Sequence, residues 1–187
     1  IARQSDQQFL AAVVPAEIIA LTNTERASNT VSSLKEDALL DRAAQAKADD
    51  MAQAGYFAHV GPDGKTPWQW ISSSGYQYQY AGENLAVRFI DSKDVVEAWM
   101  ESPSHRANIV KPVYSQIGVG VAQGMYEGQP ATYVVQYFGT PKSAVASGVA
   151  TAVTPTRSNR PAVQPASIAT AAPAVQGAET ELVTPEV

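Results

Sequence analysis

The sequence contains no cysteine in its 187 residues, so neither disulfide bracing nor thiolate chemistry is open to it. No apolar run approaches the about 18 residues that a membrane span needs. Basic residues are outnumbered, 13 Lys and Arg against 18 Asp and Glu, and the net charge of −5 excludes the basic stripe of a nucleic-acid-binding surface. Histidine is rarer still, with only His59 and His105. The familiar catalytic signatures are missing too: there is no phosphate-binding Walker loop, no dinucleotide glycine run, no HExxH zinc helix and no Gly-x-Ser-x-Gly elbow.

What is present divides into a lead-in, a domain and a tail. Residues 1–14 show no clear period. The chain opens on Ile1, which reads as a cleaved or trimmed start, with any signal peptide or anchor preceding it. From residue 15 to 140 the pattern is that of one globular domain. Pro15 suits an early helical position and introduces a helix through Ile18, Leu21 and Thr22. The strongest helix signal covers 36–54, where Leu40, Ala43, Ala44, Lys47, Ala48 and Met51 recur at three and four and Gly55 stands as a C-terminal cap. Thr66-Pro67 starts a short helix ending near Gly75, and Ser92 caps another with Val95, Val96, Trp99 and Met100 on its apolar face. That geometry buries Trp99 on the side facing the sheet. Ser102-Pro103 ends this helix and begins the next, placing His105 in its first turn. Residues 117–122 and 132–138 read as two strands of an antiparallel hairpin. Helices first and strands late imply an α+β domain with a small antiparallel sheet. After Pro141 the chain is Ala, Val, Thr, Ser and Pro with no aromatic residue, and 141–187 reads as a disordered spacer. Its Lys142, Arg157 and Arg160 balance Glu179, Glu181 and Glu186, so the whole net charge belongs to the preceding part.

Imidazole is the commonest metal ligand and the side chain that titrates nearest physiological pH. Both histidines lie in ordered-looking segments, with Ala81-Gly82-Glu83-Asn84 between them, which suggests that His59, Glu83 and His105 meet in one cleft. Read singly, His59 suits a loop or cap, Glu83 a turn acid bonding neighbouring amides, and His105 a helix-start residue bonding locally. Glu97 and Glu101, four apart, suit a solvated helix face. Trp68, Trp70 and Trp99 suit core and cleft walls.

Taken in order, Phe57-x-His59, Gly64-x-Thr66-Pro67-Trp68, Gly75-Tyr76, Ala81-Gly82-Glu83-Asn84-Leu85-Ala86, Val96-x-x-Trp99-Met100, Ser102-Pro103-Ser104-His105-Arg106-Ala107-Asn108-Ile109 and Ile117-Gly118-Val119-Gly120 resemble the bacterial SCP-like branch of the CAP superfamily. That superfamily holds the cysteine-rich secretory, antigen 5 and pathogenesis-related 1 proteins. The resemblance spans about residues 15–140. It implies a three-layer α-β-α sandwich and an extracellular or cell-envelope location. It also implies a cleft of two histidines and two glutamates that binds a divalent metal, zinc being the candidate. His59 matches the first histidine and Glu83 the Gly-Glu-Asn glutamate. The second glutamate of the pattern falls on Ser102, leaving Glu97 and Glu101 as nearby acids, and His105 is the natural second histidine in a different register. His59 and His105 are therefore the expected metal ligands.

Two functions follow as expectations. One is a monomeric secreted or envelope-attached module whose cleft binds a metal and a lipid, envelope or protein ligand. The other is a metal-dependent hydrolase, a protease for example, with His59, Glu83 and His105 as catalytic residues and Glu83 as general base.

Overall fold

The computed structural model describes residues 12–142 and the strand residues 174–178. In chain order the elements are α1 (Pro15–Ser28), β1 (Lys35–Glu36), α2 (Ala38–Ala54), α3 (Pro67–Ser73), β2 (Tyr78–Val87), α4 (Ser92–Glu101), α5 (Pro103–Ile109), β3 (Gln116–Tyr126), β4 (Gln129–Pro141) and β5 (Ala174–Ala178). The strands form one sheet in the order β1-β3-β4-β2-β5. All pairings are antiparallel except β1 with β3, which is parallel.

Helices α2, α3 and α4 start at side-chain caps, whereas α1 and α5 open on a proline without one. The Asp37 carboxylate accepts from the Leu39 and Leu40 amides, and this replaces the expected start at residue 36 with one at Ala38. Thr66 and Gln69 form a capping box ahead of α3. Asp91, rather than Ser92, caps α4.

The sheet is covered on both faces, giving the three-layer α-β-α sandwich. On one face α2 and α3 bury Leu40, Ala43, Ala44, Ala48, Met51 and Ile71 against Leu85, Tyr133, Val135 and Tyr137. On the other face α1, α4 and α5 bury Ile18, Val95, Val96, Trp99 and Ile109 against Ala86, Val134, Phe138 and Val119. Trp99 is fully buried there, and its indole donates to the Leu85 carbonyl at 3.0 Å. The α2 backbone lies directly on β3: a Cβ at Gly118 or Gly120 would come within 2.3 Å of α2 backbone atoms. Asp41 and Gln45 of α2 then bond the Val119 and Val121 amides, satisfying main-chain groups on the β3 edge beyond β1. Buried Arg26 ties the helical layer together by donating to the carbonyls of Ser32, Ile109, Lys111 and Tyr114.

Two differences from the sequence reading concern the sheet. Residues 81–86, read as a tight glycine-acid-amide step leading into an apolar stretch, belong to β2, with both neighbours hydrogen-bonded to it. Most of 141–187, read as a spacer, lies outside the described residues. Of its described parts, Pro141 ends β4 and Ala174–Ala178 pairs antiparallel with β2. A free strand edge recruits a partner through main-chain groups, so such pairing needs no side-chain period.

Candidate functional site

Glu83 and Asn84 are consecutive residues of β2, so their side chains leave opposite faces of the sheet. Two buried polar clusters result, one on each face.

On the α2 face the Glu83 carboxylate is fully buried and accepts two charge-assisted bonds. Lys47 Nζ donates to Oε2 at 2.6 Å, and His59 Nδ1 donates to Oε1 at 2.5 Å. The Lys47 side chain is likewise inaccessible, while that of His59 is 23% exposed. Lys47 Nζ also donates to the His59 carbonyl at 2.6 Å, so one ammonium holds both the acid and the loop bearing the imidazole. An ionised carboxylate only accepts, which puts the ring proton of His59 on Nδ1. Its Nε2 is buried with no hydrogen-bond partner among the described residues. Burial lowers the Lys47 pKa, and the charge of Glu83 and its hydrogen bond oppose that shift. Tyr137 faces Glu83 across the β2–β4 ladder; burial first, then the Glu83 charge, pushes its hydroxyl well above the ordinary value. Beside it, Tyr56 donates to Asp50 at 2.6 Å and is raised by burial and then by that bond.

On the opposite face Asn84 donates to Gln136 Oε1 at 3.0 Å and to the His105 carbonyl at 3.3 Å. Gln136 donates on to Thr22 at 2.8 Å, and Asn108 donates to Asn84 Oδ1 at 3.0 Å. His105 is buried in α5, with Nδ1 2.7 Å from the Ser102 hydroxyl. This cluster fastens α5 and α1 to the sheet.

The structure thus brings His59 and Glu83 into contact on the α2 face and places His105 in α5, where its ring bonds Ser102 and its carbonyl accepts from Asn84 on the opposite face. A single residue step along β2 turns Glu83 toward α2 and Asn84 toward α5, so of the expected trio the described hydrogen bonds join His59 to Glu83. Glu83 itself is a strand residue rather than a turn acid. Glu97 is 58% exposed and pairs with Lys93 at 3.2 Å, and Glu101 is exposed at the end of α4, so neither joins the centre.

Among the described residues, His59 and Glu83 as they stand do not offer a divalent metal an open ligand set. Both Glu83 oxygens are engaged, one of them by a cation. Among the described residues no group of three or more His, Asp and Glu could hold a metal ion. The site residue that the sequence reading placed only in a helix stripe, without a role, is Lys47. Its signal was present: a lysine inside the stripe Leu40, Ala43, Ala44, Ala48 and Met51 must be buried, and a buried lysine needs a counter-charge.

The loop after His59 leads to an open groove. This groove of about 430 Å³ is lined by Asp63, Gly64, Lys65, Gln69, Ser72 and Ser73, all polar apart from the glycine. A Gly61–Lys65 turn shapes its rim, with Gly61 N bonded to Lys65 O and Gly64 N to Gly61 O. Lys65 lies over the Trp70 ring, 3.2 Å from its centroid. Loop, groove and His59–Glu83 pair share the α2–α3 side of the sheet.

The comparisons with known proteins agree with this architecture. A family model described as CAP, the cysteine-rich secretory protein family, matches residues 19–138. The uncharacterised protein YkwD of Bacillus subtilis (strain 168) is 38% identical over 107 residues, which make up 57% of this chain and 42% of that protein. The chain spans less than half the length of the curated relatives it matches. Among solved structures, an SCP-domain extracellular protein from Bacillus anthracis aligns with a TM-score of 0.58 at 27% identity, covering 67% of this chain and 39% of that one. An outer surface protein from Borrelia burgdorferi aligns with a TM-score of 0.56 at 25% identity, covering 68% of this chain and 92% of that one.

Proposed function

The chain belongs to the CAP, or cysteine-rich secretory protein, family, and we propose that it works outside the cell as a binding module for a polar polymer of the envelope. The similar structures named as an extracellular and an outer surface protein support the location. Among the described residues no helix is long and apolar enough to cross a membrane.

The observation that carries the binding reading is the groove beside the His59 loop. Its side chains are a carboxylate, an ammonium, an amide and two hydroxyls. Such a lining hydrogen-bonds a hydroxyl- or amide-rich chain and offers a lipid tail no apolar wall. The buried Lys47–Glu83–His59 cluster fixes one end of the loop that forms the groove rim, so the groove is presented on a rigid base. We assign recognition to Lys65 and Gln69 and support of the loop to the buried cluster.

A binding assay with purified cell-wall sacculi, with neutral lipid vesicles as the contrasting probe, tests this reading. The wild-type chain should sediment with sacculi, and Lys65→Ala combined with Gln69→Ala should lose most of that binding on an unchanged fold. Binding to vesicles alone would overturn it. The hydrolase reading keeps one specific support, the imidazole whose Nδ1 is held by a carboxylate, the arrangement that prepares Nε2 as a base. Turnover of peptide or cell-wall substrates that disappears in His59→Ala, with the melting curve unchanged, would replace the binding module with an enzyme.

A further inference from the structure

A carboxylate and an imidazole meeting in a buried pocket are two-thirds of a common metal ligand set. Here α2 supplies what completes the charge balance, and it is an organic cation. Lys47 Nζ lies 2.6 Å from Glu83 Oε2 and 2.6 Å from the His59 carbonyl, with its side chain wholly inaccessible. A zinc ion on the same carboxylate would sit about 2.0–2.2 Å from its oxygen. An ammonium and a zinc ion cannot both take that position, because like charges at such separation in a buried site repel strongly. Lys47 also does what a metal would do for the chain: it neutralises the strand glutamate and anchors the histidine loop to it.

We propose that Lys47 is the resident cation of this centre, replacing a divalent metal, and that removing its amine uncovers a metal site made by His59 and Glu83. The proposal concerns the centre's own counter-charge and is independent of what the neighbouring groove binds, so either can fail without the other. With two protein ligands, the uncovered site would complete its shell with water and bind less tightly than a structural zinc site.

Zinc alone, titrated calorimetrically into the full chain, is the probe. Wild type and His59→Ala should show the same zinc uptake, since both Glu83 oxygens, one of them held by Lys47, are engaged and closed to a metal while Lys47 is in place. Lys47→Ala should gain zinc uptake together with a zinc-dependent rise in melting temperature, as a ligand of the native state produces. Both gains should vanish in the Lys47→Ala and His59→Ala double variant. Should Lys47→Ala not fold, Lys47→Met, which keeps most of the side-chain volume, takes its place. If neither folds, the wild-type comparison decides. Wild-type zinc uptake abolished by His59→Ala overturns the proposal, and so does a folded Lys47 variant that gains no zinc uptake.

Discussion

The Lys47–Glu83 pair is bonded at 2.6 Å with both side chains wholly inaccessible, so neither charge has solvent to fall back on. Removing one member of such a pair costs about 3–5 kcal/mol because the other is left buried and uncompensated, whereas removing both costs much less. Glu83→Gln is therefore expected to destabilise by that amount in denaturant titration, and Glu83→Gln with Lys47→Met by clearly less than the sum of the single changes. The pH dependence has a definite sign. Burial already lowers the Lys47 pKa from 10.5, and Glu83→Gln removes the charge that opposes this shift. Unfolded chains then bind a proton that folded ones release, so the stability deficit of Glu83→Gln shrinks as pH rises toward 10.5. Additive single-variant costs, or a deficit growing with pH, would show that the two charges do not compensate each other. At this scale the sequence was half legible. Glu83 and His59 stood out by their motifs, while Lys47 was visible as a member of a buried stripe without revealing which acid it would meet 36 residues on.

The site depends on how closely α2 can approach the sheet, and β3 sets that distance. Gly120 is as tight a constraint as Gly118: its would-be Cβ falls 2.3 Å from the Ala44 carbonyl carbon and the Gln45 amide nitrogen, and a helix backbone cannot step aside as a side chain can. Gly120→Ala should therefore destabilise at the upper end of the overpacking range, about 3 kcal/mol. It should also lengthen the Gln45 bonds to Val121 and loosen Lys47 from Glu83, both of which depend on the same helix position. Chemical denaturation gives the first effect, and amide exchange at Val119 and Val121 the second. A cost below about 1 kcal/mol, as at permissive sites, would mean that α2 is not seated on β3. The helices and the β3–β4 hairpin were readable because each is bounded by its own caps and turns. β2 was not, for a physical reason: from Ala81 to Val87 every residue is buried, so a strand covered on both faces shows no alternation, and Gly82-Glu83-Asn84 has turn composition. Gly82 is there because a Cβ would come within 2.4 Å of the Tyr114 hydroxyl.

For the whole molecule, the legible part was the layer architecture, and the illegible part was which layer each motif joined. His59 and His105 occupy opposite layers because α2 and α5 cover opposite faces, and motif order along a chain carries no information about faces. The layering has a consequence in alkali. Tyr76, Tyr133 and Tyr137 belong to the core between α2, α3 and the sheet, and Tyr56 packs against it. For all four, burial is the first cause of a pKa raised above 10.0, joined at Tyr137 by the Glu83 charge and at Tyr56 by the bond to Asp50. The unfolded chain sheds these protons near pH 10 and the folded chain holds them. The stability they represent is thus complete below about pH 10 and lost as pH climbs toward the folded values. Base should unfold the protein cooperatively, with tyrosinate absorbance from this group rising only as the far-ultraviolet circular dichroism collapses. Stepwise ionisation of all eight tyrosines under an intact dichroism spectrum would mean that this core layer admits hydroxide without unfolding, and that the packing of α2 on the sheet is looser than the sandwich requires.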